Sequence, residues 1–244
     1  VFKKVRVHAI TDRNIERRHQ RCQDLLHRFR RRHSERKIVF TDEKMFTIQA
    51  PFNAQNTRVY NRRGKRQVRS ERLLIPRNNF SRKLMVSVGI GWNGKTRLVI
   101  IPQNERINAA VYQQILSDQL LPDCRTIYPR NGYVFQQDSA RPHTADETLA
   151  LLCREAPSII TPEEWPAQSP DLNPCDYRLW AYLQEEVYKE GHCQTVGELT
   201  GRLRRAWELL PAALIRTWIE EWRPRLQAIV DNNGRQIQHL FNRI

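Results

Sequence analysis

Hydrophobic and polar positions in this chain switch between a helical period and a strand period, and the switches predict the elements. From Thr11 to about Arg32, Ile15, Cys22, Leu25, Leu26 and Phe29 form a rough apolar stripe, which predicts a helix capped by Thr11. KIVFTDEKMFTI (37–48) is rich in β-formers and predicts a strand with Asp42 in its middle. LMVSVGIGW (84–92) and KTRLVII (95–101) predict two more strands. Asn93-Gly94 between them suits a two-residue type I′ turn, because both positions need positive φ. Helical spacing returns from about Asn108 to Leu121, with Ala110, Val111, Ile115 and Leu120 facing inward. GYVFQQD (132–138) predicts a strand that delivers Asp138 at its end. A helix from about His143 to Cys153 and a short strand, Ser158 to Ile160, follow. After a Pro- and Asp-rich loop, Pro174 opens a helix running to about Tyr188, with Asp176 in its first turn. Residues 195–229 and 235–242 read as helical, with Trp207, Leu209, Leu210, Leu214, Trp218 and Trp222 as core candidates. This order predicts an α/β fold: a mixed sheet, one antiparallel hairpin, βαβ crossovers and helices on both faces. No internal repeat or low-complexity tract interrupts it.

Composition narrows the partners. With 244 residues, 40% of them hydrophobic, the chain can bury a sizeable core. Its 41 Lys and Arg against 26 Asp and Glu leave a formal charge of +15, which points to a polyanion. Nucleic acid is the first candidate, since phosphate neutralisation dominates such binding. A membrane surface is the second, but no apolar run nears the length of a span. Residues 57–83 hold ten cations (Arg58, Arg62, Arg63, Lys65, Arg66, Arg69, Arg72, Arg77, Arg82 and Lys83) and one acid, Glu71. This is the strongest charge patch in the chain, either a DNA contact or a solvated loop. The Arg- and His-rich face of the first helix has the same two readings. Cys22, Cys124, Cys153, Cys175 and Cys193 are scattered and odd in number, which argues against a disulfide framework and a zinc ribbon. The opening VFKKVRVHAI reads as a basic linker without initiator Met or signal peptide, as expected of a piece of a longer protein.

Three acids carry candidate chemistry. Asp42 is mid-strand, where a carboxylate is unfavourable and costly to bury unpaired. If its strand neighbours the one ending at Asp138, the two carboxylates can sit side by side. Asp176 can then be laid across the gap. Three hard oxygen ligands suit Mg²⁺ or Mn²⁺. Two such ions roughly 4 Å apart would activate a water or 3′-hydroxyl and stabilise the leaving oxygen of a phosphodiester. The competing reading makes Asp42 a satisfied structural acid, and Asp171 and Asp176 caps.

The local strings resemble a known family. FTDEKMF around Asp42, VFQQDSARPHTA around Asp138 and WPAQSPDLNPCDYRLW around Asp176 are similar, in order and placement, to the three acid motifs of mariner-like (Tc/mariner) DNA transposases. The likeness covers about 11–190 well and the remainder loosely. It implies an RNase H-like, five-stranded mixed sheet with a helical C-terminal extension. It also implies that Asp42, Asp138 and Asp176 are catalytic and bind two Mg²⁺ or Mn²⁺ ions. Asp171, inside SPDLNP, is expected to be structural, and His143 to support the site. The implied activity is metal-dependent cleavage at transposon ends and strand transfer into a TA target. The implied partners are DNA and a second copy of the chain, joined through a clamp loop at about 50–83, with no membrane. Arg58, Arg62, Arg63, Lys65, Arg66, Arg69, Arg72, Arg82 and Lys83 are the expected DNA contacts, and the nucleus is the expected location. The expected layout is 1–33 as linker and basic helix closing a DNA-binding region, 34–190 as the catalytic domain and 191–244 as packed helices. Two features depart from the pattern. The family's paired helix-turn-helix units are not seen here, and Ser139 stands where Asn is common. A domesticated DNA-binding protein and an RNA-cleaving nuclease on the same fold are the competing functions. Three intact acids favour catalysis, and SPDLNP with the arginine-rich insertion favours the transposase.

Overall fold

A computed structural model of the protein describes residues 9–51, 59–62, 64–74, 82–102 and 107–241. A mixed five-stranded sheet forms its centre. β1 (Ile38–Thr47) runs antiparallel to β2 (Lys83–Gly91) and parallel to β5 (Val134–Gln136). β3 (Gly94–Lys95) and β4 (Val99–Ile101) both pair antiparallel with β2. The predicted strand at 158–160 is a single parallel bridge, Phe135 to Ile159.

Alternation along β1 sends side chains to two cores. Ile38, Phe40 and Phe46 face one layer with Val86, Val88 and Ile90 of β2. That layer is roofed by α1 (Asp12–Arg28), α6 (Trp180–Tyr188), α7 (Val196–Leu209), α8 (Ala212–Glu220) and α9 (Trp222–Asp231). Val39 and Phe135 face the other, against α3 (Ala109–Ile115), α4 (Leu121–Ile127) and α5 (Asp146–Glu155). Short helices at Ser70–Leu73 (α2) and Gln238–Phe241 (α10) complete the set. Trp222 joins three elements: its ring meets Phe29 edge-on at 5.3 Å and Phe40 at 5.7 Å. Thr11 caps α1 as expected, its side chain accepting from the N–H of Asn14.

Several expectations need correction. The hairpin turn is Trp92-Asn93, one residue earlier than predicted, because Gly91 pairs with Gly94. Neither turn residue has positive φ. Tertiary packing holds this register. A Cβ on Gly91 would meet the Tyr128 hydroxyl at 2.8 Å, so only glycine fits beneath that ring. Trp92 lies under the Arg36 guanidinium at 3.8 Å and beside Arg216 at 5.7 Å. On the helix after Asn108 the inward face is Tyr112, Ile115, Leu116 and Leu120, while Ala110 is exposed. A π-helical stretch, Leu116–Leu120, shifts the phase between α3 and α4. Leu209 and Leu214 are exposed at the α7–α8 junction rather than in the core.

The basic face of α1 is mostly spent on the protein itself. Arg18 is fully buried. Its guanidinium donates to both Asp171 carboxylate oxygens at 3.1 and 2.9 Å, and its Nε to the Gly234 carbonyl. It also reaches the Ser169 hydroxyl. Arg21 donates to the Trp165 carbonyl, and Arg28 to Glu164, Ser158 and the Ile159 carbonyl. No helix among the described residues is long and apolar enough to cross a membrane.

Candidate active site

The pairing of β1 with β5 sets the site. Phe40 is level with Gln136, so Asp42 and Asp138 each follow two residues after the last position at which β1 pairs with β5. β5 ends at Gln136. The chain then leaves the sheet, and Gln136 and Gln137 pin it there. The Thr41 hydroxyl donates to the Gln136 carbonyl at 2.8 Å, and the Gln137 amide donates to the His143 carbonyl at 2.9 Å.

Asp176 arrives through the loop before α6. Arg18 clamps Asp171 there, and Arg225 donates to the Asp171 carbonyl at 3.2 Å. Buried Asn173 then ties the loop to β1 by donating to the Thr41 carbonyl at 3.2 Å. Its own side-chain oxygen takes the Cys175 N–H at 3.0 Å. A π-helical turn, Cys175–Leu179, follows and carries Asp176. π-turns are rare and recur at functional sites. Asp171, with both oxygens in a buried ion pair, is committed to holding this loop.

Asp42 and Asp176 act on each other's carboxyl. Trp180, on the first turn of α6, donates its indole N–H to Asp42 Oδ2 at 2.6 Å. Burial raises the Asp42 carboxyl well above the usual range, and the negative charge of Asp176 raises it further. Asp176 is exposed by surface area, yet the protein packed around its carboxyl still raises it. Lys44, on the same face of β1, and a hydrogen bond with Asp42 act against that rise, while Asp138 adds to it. Two neighbouring carboxyls with protein packed around them resist carrying two negative charges. A divalent cation would relieve that repulsion, and two hard oxygen donors suit one. The donor set therefore fits Mg²⁺ or Mn²⁺.

Asp138 is drawn to the other side. Its Oδ1 accepts the Ala140 N–H at 2.9 Å and lies 2.5 Å from His143 Nδ1. Burial pushes the Asp138 carboxyl up, but the hydrogen bond and charge of His143 and the Ala140 N–H outweigh it and hold it below the usual range. Burial likewise pushes His143 down, but Asp138 and Glu43 lift it to about 10. Asp138 thus acts on Asp176 only through its charge. Among the described residues, no three His, Cys, Asp or Glu side chains gather closely enough to hold a metal ion.

The chain matches no protein-family model. The Tc3 transposase of Caenorhabditis elegans is 29% identical over 204 residues, covering 83% of this chain and 58% of that relative. The mariner Mos1 transposase of Drosophila mauritiana is 31% identical over 183 residues, 72% of this chain and 49% of the relative. A solved Mos1 paired-end complex with the left transposon end superposes with a TM-score of 0.83 at 26% identity, covering 96% of this chain and 67% of that one. The homologues of this chain are Tc1/mariner transposases. The chain spans about half the length of these curated relatives. Mos1 paired-end complexes have been solved with Mn, at 25% identity, and with Mg, at 24%, each with a TM-score of 0.83. The mixed sheet with flanking helices is that of the Mos1 catalytic domain, which superposes with a TM-score of 0.73.

Arg62, Arg66, Arg69, Arg72, Arg82 and Lys83 are exposed, and none is in an ion pair among the described residues. Arg69 and Arg72 line a shallow cleft with Asn61, Gln67 and Val68. Arg58, Arg63, Arg77 and the side chain of Lys65 lie outside the described residues. Reading the sequence missed Glu43, Trp180 and Asn173 at the site. Glu43 had one signal, a second acid inside a strand beside Asp42. Trp180 and Asn173 had none, because their partners lie more than a hundred residues away.

Proposed function

We propose that this chain is the catalytic domain of a cut-and-paste DNA transposase, and that Asp42, Asp138 and Asp176 are its catalytic acids. One observation carries the reading. β1 carries Asp42 and pairs in parallel with β5, whose chain reaches Asp138 two residues past the end of the strand, while a π-turn bears Asp176, whose charge acts on Asp42. Homology to Tc1/mariner transposases supports the same conclusion.

Asp42 and Asp176 would hold a divalent cation, with Asp138 supplying a third carboxylate. When two Mg²⁺ or Mn²⁺ ions are bound, they supply Lewis-acid activation of the attacking oxygen and neutralise charge on the phosphodiester. The chain's own groups orient the ligands. The Trp180 N–H fixes one oxygen of Asp42, Asn173 anchors the loop that presents Asp176, and His143 fixes one oxygen of Asp138. The substrates would be DNA ends bearing terminal inverted repeats and a TA target. The exposed cations Arg62, Arg66, Arg69, Arg72, Arg82 and Lys83 would meet the phosphate backbone, and a clamp loop at about 50–83 would join two copies. The location would be the nucleus.

Calorimetric titration of Mn²⁺ into the chain with a short nicked duplex, repeated with Asp42→Asn and Asp176→Asn, tests this reading. Binding that weakens in both variants is the expected result. Folded wild-type protein that binds no Mn²⁺ would reduce the chain to a DNA-binding relative without catalysis. In a cleavage assay, Asp138→Ala should lose metal-dependent cutting and keep general DNA binding.

A further inference from the structure

Alternation along β1 places Glu43 on the face opposite Asp42 and Lys44. There it meets His143, with Nε2 3.2 Å from Glu43 Oε2. Ser87, directly across on β2, donates its hydroxyl to Glu43 Oε1 at 2.8 Å. The Tyr112 ring lies against the imidazole, centroids 4.0 Å apart and planes 30° apart. Its hydroxyl donates to Gln137 at 2.7 Å, and Gln137 in turn donates to the His143 backbone. The imidazole is therefore fixed at one nitrogen and over one face. Its other nitrogen is left for Asp138 Oδ1. Glu43 and His143 side chains are 13% and 4% exposed, whereas that of Asp138 is 48% exposed. A buried pair thus supports an open carboxylate. Among the described residues, the side-chain hydrogen bonds of Asp138 to His143 and Ala140 both fall on Oδ1.

We propose that Glu43 is a positioning residue for Asp138 and acts through His143. By fixing the imidazole it ties down Oδ1 and leaves the second oxygen to bind a divalent cation. Carboxylate–imidazole supports of this kind orient metal ligands, and their loss typically weakens metal binding about 10- to 100-fold. The proposal rests on the reading of the acids as metal ligands.

The test is calorimetric Mn²⁺ binding to the whole chain, with thermal denaturation to check the fold. Glu43→Gln should weaken Mn²⁺ binding about tenfold, and His143→Ala at least as much. In the double variant the loss should equal that of His143→Ala alone, because Glu43 then has nothing to act through. Multiplied losses in the double variant would overturn the relay by giving Glu43 its own path to the metal. Unchanged affinity in Glu43→Gln, beside weakened binding in Asp42→Asn and Asp138→Asn, would overturn the proposal and leave the metal reading standing. Wild-type protein without Mn²⁺ binding, or Asp138→Asn that binds like wild type, would overturn both. Should Glu43→Gln unfold the chain, Ser87→Ala removes only the hydroxyl that holds Glu43. A several-fold loss, absent in the His143→Ala background, is expected from it, and no loss would overturn the proposal.

Discussion

Two sets of arginines look alike in the sequence and differ in duty. Those of α1 are crowded on one helix, and Arg18 sits at its centre, fully buried in an ion pair with Asp171. Arg62, Arg66, Arg69 and Arg72 are exposed and, among the described residues, have no acidic partner. The difference is set by what lies across the fold. Arg18 finds a carboxylate 153 positions away, which no local pattern encodes. Positive charge in a sequence therefore marks a capacity, and only the fold divides it between holding the protein together and meeting a polyanion.

Removing one charge from each set should have unequal effects. Arg18→Ala leaves Asp171 as an unpaired buried carboxylate and should cost about 3–5 kcal/mol of stability in urea denaturation. Because the Asp171 loop leads into the turn bearing Asp176, Mn²⁺ affinity should fall with it. Arg66→Ala should change stability by no more than about 0.5 kcal/mol. Equal losses from the two would erase the distinction.

A second substitution probes the same junction without touching charge. Gly234 has φ +79°, and a Cβ there would lie 2.0 Å from the Ile15 carbonyl oxygen of α1. Gly234→Ala combines backbone strain, on the order of 1–3 kcal/mol, with a clash that pushes α1 away from α9. A Tm lowered by several degrees is expected, and an unchanged Tm would mean that α1 is not seated here. Thr11→Ala, which removes only the cap of α1, should cost about 1 kcal/mol.

Patterns with local causes were legible. The β-rich run around Asp42 and Pro174 before Asp176 place those two acids on the elements that carry them, while the strand expected to end at Asp138 stops at Gln136 and leaves Asp138 in the loop beyond it. The layering of helices on both faces followed from element order. What escaped reading was set by packing at long range. Tyr128 packs over Gly91, where the hairpin turn begins a residue early, and a π-turn shifts the inward face of the helix after Asn108. The site divides along the same line. The acids could be named from their strings, but not that Asp138 leans to Glu43 and His143 while Asp42 pairs with Asp176.

The exposed set supplies the subtlest test, since its effect should appear only with DNA present. Replacing Arg62, Arg66, Arg69 and Arg72 together by Gln removes four cations without acidic partners among the described residues. Their side chains cover little protein, so the melting temperature should hold. Duplex affinity should fall at low salt, and the plot of log affinity against log salt should flatten by about 0.9 for each phosphate that is no longer neutralised. A parallel shift, with affinity lower and slope unchanged, would mean the segment acts through shape or through a partner chain rather than by releasing counterions. An unchanged affinity would make these arginines a solvated surface, and would return the search for the DNA path to the cations of α1 that are not spent on the fold.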